Sequence, residues 1–245
     1  MWLYVAALVG LYYLVRWYRE RQVVSHFRDK YIFIAGWDSG FGNLVARQLD
    51  RHGLRVLAVC LMEKGAEQLR TQMSDRLETV ILDVTKTESI TAATQWVKER
   101  VGDRRLWGLV NNAGIIAPVT YCEWQKTEDS VNTLKVNLIG LIQMTVSMLP
   151  LVRRAWGRIV NVSTILGKIA STAGIYCCSK YGVEAFSDIL RYELRHFGVK
   201  ISIIEPGYFK TGMTDMEKSL GKVKQAWEED CVHIKESYGQ QFFDA

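Results

Sequence analysis

Six short apolar runs separated by stretches of helical spacing restrict this chain more than any other feature: Tyr31–Ala35, Arg55–Leu61, Thr79–Asp83, Leu106–Asn111, Arg158–Ser163 and Lys200–Glu205. The runs are short and show little polar alternation, as expected of strands buried on both faces. Between them lie a helix carrying Leu44, Val45 and Leu49, one from Glu63 to about Met73, then Ser89–Val101, Lys135–Leu149 and Tyr176–Phe197. Strands alternating with helices of this length imply right-handed crossovers and a parallel sheet. The expected fold class is therefore α/β, a doubly wound, Rossmann-type parallel sheet of six strands. With 245 residues and 49% apolar content, one core suffices, and residues 30–245 read as one catalytic domain.

A glycine turn, Gly36-x-x-x-Gly40-x-Gly42, closes the first strand and opens a helix. Glycine permits the tight turn and lets backbone approach a diphosphate, which the amides and positive end of the helix then attract. Directly after the first strand of an alternating pattern, this turn marks a dinucleotide site, with Ser39 and Phe41 in its loop. Asp83, ending the third strand, either accepts from the adenine amine or caps the next helix. The second strand ends in Val59-Cys60-Leu61, without the acidic residue that holds a ribose 2′-hydroxyl and without an arginine for a 2′-phosphate. Glu63 and Lys64 are the nearest charges, so composition leaves the choice between NAD and NADP open.

The net charge of +5 is mild and partly due to Arg16, Arg19 and Arg21, which gives no nucleic-acid footprint. Five cysteines without a Cys-x-x-Cys pair and four scattered histidines suggest neither a disulfide framework nor a metal site. Residues 1–18 are apolar or aromatic up to Arg16-Trp17-Tyr18. As a helix they span about 27 Å, near the thickness of the endoplasmic reticulum bilayer. A cleaved signal peptide would want a basic stretch before the apolar one and a small-residue cleavage site after it. An uncleaved membrane anchor is expected instead, followed by a basic linker over residues 19–29. Positive charge on its C-terminal side places the following domain in the cytosol.

Tyr176 and Lys180 stand four apart and share one helix face. An ammonium about 4 Å from a phenolate, at an effective dielectric of about 20, is worth roughly 4 kcal/mol, or up to about 3 pKa units. The expectation is a phenol brought towards neutrality, able to exchange a proton with an alcohol. Tyr-x-x-x-Lys recurs by chance on amphipathic helices, so the pair counts only in company.

That company is Gly36…Gly40-x-Gly42, Asn111-Asn112-Ala113-Gly114, Asn137, Ser163-Thr164-Ile165-Leu166-Gly167 and Pro206-Gly207-Tyr208-Phe209-Lys210-Thr211, in order. Together with the tyrosine–lysine pair, these motifs resemble the short-chain dehydrogenase/reductase superfamily. Arg19–His26, Asp38–Asn43 and Lys180–Asp188 look like its microsomal retinol and 3α-hydroxysteroid dehydrogenases. The resemblance implies NAD-preferring oxidation of a small lipophilic alcohol at the endoplasmic reticulum membrane, and leaves homo-oligomerisation open. It assigns Tyr176 the proton transfer, Lys180 the lowering of its pKa and a bond to the nicotinamide ribose, and Asn137 a water linking Lys180 to solvent. Thr164 would orient the substrate oxygen. Asn111, Ala113 and Gly114 would line the cofactor cleft, with Pro206 and Thr211 at the nicotinamide end.

Two residues depart from the family pattern. Thr164 stands where it has serine, which adds a methyl and stiffens χ1, and Ala35 replaces the usual threonine before the first glycine. No seventh strand is readable after Glu205, and the chain stops at Phe243-Asp244-Ala245. An incomplete substrate segment and an unpaired sheet edge are expected, with a weakly active or inert cofactor-binding form as the alternative function.

Overall fold

The computed structural model describes residues 2–21, 26–37, 40–61, 66–67, 73–229 and 232–244. Six parallel strands, β1 (Tyr31–Ala35), β2 (Arg55–Cys60), β3 (Leu77–Ile81), β4 (Leu106–Asn111), β5 (Arg158–Val162) and β6 (Lys200–Ile204), form one sheet in the order β3-β2-β1-β4-β5-β6. The expected doubly wound architecture is present. All five residues of β1 are buried because successive side chains enter opposite layers. Tyr31, Phe33 and Ala35 join a core with α3 (Thr87–Val101), α5 (Leu141–Arg154) and α6 (Ile175–Leu194). Ile32 and Ile34 join a second core with Trp37 and Ala46 of α2 (Gly40–Arg51).

Strand order reverses between β1 and β4, so crossovers leave in opposite directions and open a crevice at their carboxyl ends. Ala35 pairs with Asn111, and Asn112 N–H donates to Ala35 O at 2.9 Å. That register sets the glycine turn directly beside Asn112-Ala113-Gly114.

Several boundaries differ from the sequence expectation. β3 begins at Leu77 and ends at Ile81, two residues earlier than expected, because Asp83 turns the chain by accepting from Thr85 N and Oγ1 at 2.9 and 2.7 Å. The helix expected over Lys135–Leu149 runs continuously through α4 (Thr127–Leu134), a π-helical segment Lys135–Gly140 and α5. It passes Pro150, where the lost hydrogen bond is offset by burial of Leu151 and Val152 against the sheet. Most of the helix expected from Glu63 to Met73 lies outside the described residues; Ala66 and Glu67 within it are helical.

The helix Thr127–Arg154 has a mean hydropathy of 1.5 in its most apolar stretch, but Met144 and Met148 are fully buried under the sheet, so it is a core helix. By contrast the apolar side chains of α1 (Trp2–Glu20) are exposed: Trp2 is 82% exposed and Leu14 64%. The outer edge of β6 carries no further strand among the described residues. The final segment folds into α7 (Met216–Glu229), α8 (Val232–Tyr238) and α9 (Gln240–Asp244), held to the turn Cys122–Trp124 by Trp227, Ile234, Tyr238 and Phe243.

Candidate active site

A cleft of about 340 Å³ opens at the crevice between β1 and β4. Its floor is the glycine turn. Gly36 has φ +80°, and a side chain there would meet Ala113 Cα at 2.3 Å. Gly42 lies just beneath, where a Cβ would sit 2.2 Å from Gly36 O, so it serves packing while Gly36, Gly40 and Phe41 face the cleft. The Asn112 amide donates to Gly36 O and locks the turn. Ser39 lies outside the described residues.

Opposite the turn stand Ala113 and Gly114, both lining the cleft. Asn111 does not line it, which corrects the expectation. Its side chain points into the core, where Nδ2 donates to Thr145 Oγ1 at 2.9 Å and Asn161 Oδ1 at 2.8 Å. Alternation along β4 sends consecutive side chains to opposite faces, so Asn112 is the asparagine in the cleft wall. Asp83 also reaches the wall, but its Oδ1 is engaged by Thr85, and these bonds hold its carboxyl below the usual range. It makes a turn at the strand end and is not the cap of α3, whose N-cap position is Lys86.

The catalytic candidates converge from three elements. Tyr176 and Lys180 project from the first turns of α6, both nearly buried, and both line the cleft. Lys180 Nζ donates to Val162 O of β5 at 2.9 Å and lies 5.8 Å from the centre of the Tyr176 ring. Burial pushes the Tyr176 phenol up to about 12, and burial brings Lys180 down to about 8. The anticipated lowering of the phenol is therefore not present. Desolvation of the ring, with Cys177 beside it, raises the phenol, and desolvation of the ammonium lowers the lysine.

Asn137, in the π-helical segment, is fully buried. Its Oδ1 accepts from Ile115 N at 2.8 Å, and its Nδ2 donates to Ile115 O at 2.9 Å and to Ser179 Oγ at 3.1 Å. These bonds pin the loop after β4 to α6. Thr164 Oγ1 donates to Pro206 O at 3.2 Å and caps the turn Ile165–Gly167. Ser163 Oγ is buried with no hydrogen-bond partner among the described residues and also lines the cleft, a hydroxyl the sequence pattern passed over in favour of its neighbour. Pro206 and Thr211 form the far rim, where Thr211 and Thr214 bond each other's backbone and side chains and Phe209 meets Phe41 edge-on at 5.4 Å.

Sequence reasoning also passed over Glu184 and Lys168. Glu184 is buried, and its Oε2 lies 3.0 Å from Lys168 Nζ. The available signal was spacing: Tyr176, Lys180 and Glu184 follow at intervals of four along one face.

A nicotinamide dinucleotide fits this cleft. Side chains are excluded at Gly36, where backbone must approach a diphosphate, and the first turn of the 12-residue helix α2 faces the opening with its amides. Residues 30–220 match the sequence pattern of the short chain dehydrogenases. Over 245 residues the chain is 76% identical to 17-beta-hydroxysteroid dehydrogenase type 6 of Homo sapiens, covering 100% of itself and 77% of that protein. It is 63% identical to retinol dehydrogenase 7 of Rattus norvegicus, with the same coverage of 100% and 77%. Among solved structures, a short-chain dehydrogenase/reductase of unknown function from Caenorhabditis elegans, determined with cofactor, superposes with a TM-score of 0.71 at 26% identity. That match covers 83% of this chain and 77% of the other. With a glycine turn, an Asn112-Ala113-Gly114 wall and a tyrosine–lysine helix meeting in one cleft, and with these relatives beside it, the chain belongs to the short chain dehydrogenase family.

Proposed function

We propose that this protein oxidises a lipophilic secondary or allylic alcohol, a 3α-hydroxysteroid or retinol, with NAD as hydride acceptor. The observation that carries the reading is that Tyr176 and Lys180 share one cleft with the glycine turn. A nicotinamide dinucleotide held by the glycine turn and the Asn112–Gly114 wall would supply the hydride acceptor, and the Tyr176 oxygen takes the proton of the substrate hydroxyl. Phenolate is favoured only while Lys180 keeps its proton. Thr164 and Ser163 supply hydroxyls that orient the substrate oxygen, and Asn137 holds the loop after β4 in register. The relatives' names support the substrate class: one is a hydroxysteroid dehydrogenase and one a retinol dehydrogenase. NAD is favoured over NADP because the charged residues among those described in the cleft wall are Asp83 and Lys180, and Lys180 sits at the catalytic end. A 2′-phosphate would find no arginine among them.

We further propose that α1 anchors the protein in the endoplasmic reticulum membrane with the catalytic domain in the cytosol. Its 19 residues span about 28 Å, and their side chains are exposed where described. A tethered enzyme meets its substrate where lipophilic alcohols partition.

The test is NADH production by the detergent-solubilised chain supplied with androstanediol or all-trans-retinol. We expect turnover with NAD to exceed that with NADP. Tyr176→Phe should remove at least about 99% of it while NAD affinity, read by fluorescence titration, is retained. A Tyr176→Phe protein that turns over normally rejects the assignment.

A further inference from the structure

The motif Lys180-Tyr-Gly-Val-Glu184 contains a buried carboxylate that the mechanism above does not use. We propose that Glu184 is a positioning residue: its carboxylate is the buried counter-charge of Lys180 and, through Lys168, the tie that holds the Thr164 turn against the catalytic helix. The inference rests on Tyr176 and Lys180 being the acid–base pair.

Three stitches join helix α6 to the segment Val162–Lys168. Lys180 Nζ donates to Val162 O at 2.9 Å, Tyr181 Oη donates to Lys168 O, and Glu184 Oε2 meets Lys168 Nζ at 3.0 Å. Ser163 and Thr164, two of the hydroxyls of the cleft, lie between the first anchor and the others. Gly167 closes the gap so tightly that a Cβ would stand 2.5 Å from Ser163 Oγ and 3.2 Å from Glu184 Oε1. Oε1 has no hydrogen-bond partner among the described residues. An acidic group held that way is costly unless its charge is used.

Lys180 uses it. Glu184 stands one turn further along the same face, and its negative charge opposes the loss of the lysine's proton on burial. The charged groups around the pair are Lys168 from the turn after β5, with Glu205 from the end of β6 and Asp188 from α6 acting on Lys168; Tyr176 is the titratable neighbour on the helix. At about 6 Å and an effective dielectric of about 20, a unit charge shifts a neighbouring titration by about two pH units. Lys168, whose side chain is 51% exposed, cancels part of this and leaves about one.

The experiment follows Lys180 directly by lysine 13Cε NMR of the full chain in detergent without cofactor, with its resonance identified by loss in Lys180→Arg. Glu184→Gln is expected to lower the Lys180 titration midpoint by about one pH unit. In turnover, the alkaline limb of kcat/KM for alcohol oxidation should fall by a similar amount, with KM for NAD unchanged. Glutamine still accepts from Lys168, so a purely structural tie leaves both readouts where they were, and that result overturns the proposal. Should Glu184→Gln fail to fold, Lys168→Met removes the partially cancelling cation instead. It is expected to raise the Lys180 midpoint, and an unmoved midpoint in that folded variant also overturns the proposal. A wild-type chain that oxidises no alcohol while Lys180 responds to Glu184 rejects the proposed function; one that oxidises alcohol while Lys180 ignores Glu184 rejects this inference.

Discussion

Lys180 enters the core bonded to one backbone carbonyl, and burial brings its proton loss down from 10.5 to about 8. Between those values the unfolded chain binds more protons than the folded one, so stability rises with pH across the window. Below pH 8 the full cost of burying the ammonium is present; above 10.5 it is gone. We expect wild-type protein to gain up to about 3 kcal/mol relative to Lys180→Met between those limits, measured by urea unfolding at paired pH values. A constant difference between the two proteins would contradict the buried-cation reading. At this scale the identities were legible, since four-residue spacing puts tyrosine and lysine on one face wherever the helix forms. The direction of the phenol's shift was not. It is set by how deeply the ring is buried against elements distant in sequence, which the spacing does not report. Asn111 and Asn112 show the same limit, because which of two adjacent asparagines faces a ligand is decided by strand register and not by the motif.

Elements were legible where burial leaves one solution. β1, β2 and β4 are so uniformly apolar that position in a two-sided sheet follows from composition, and the glycine turn follows from β1. Ends were harder. β3 stops where the Asp83 carboxylate captures Thr85, and α5 survives Pro150 because two large side chains after it are buried. Both outcomes are settled by tertiary contacts. The turn itself makes a firm prediction. Gly36→Ala places a Cβ 2.3 Å from Ala113 Cα in a backbone conformation at φ +80°, so neighbouring backbone must move. We expect a loss of about 3 kcal/mol or more in unfolding free energy, together with loss of NAD binding. Unaltered thermal stability of Gly36→Ala would place the contact between β1 and the Asn-Asn-Ala-Gly loop in error.

For the whole molecule, the doubly wound architecture was readable because alternating strands and helices admit few topologies. The proposed attachment to a membrane rests only on length and apolarity, and neither depends on a folded partner. The exposed α1 makes the corresponding prediction: alkaline carbonate should leave the full chain in the membrane pellet, and removal of residues 1–21 should release it with NADH production in detergent retained. Protection of the catalytic domain from protease in sealed microsomes would reverse the proposed orientation.

The aromatic knot at the C-terminal helices joins distant parts of the fold. Trp124 lies 5.0 Å from Trp227, and Trp227 stacks on Phe243 at 4.8 Å. The next residue, Gln125, accepts from Ile175 N at 3.1 Å, one position before Tyr176. The indoles are close enough for their excited states to couple, so near-ultraviolet circular dichroism reads their relative orientation. The protein thus carries a native optical gauge wired to the start of α6, able to register a shift there without an added dye.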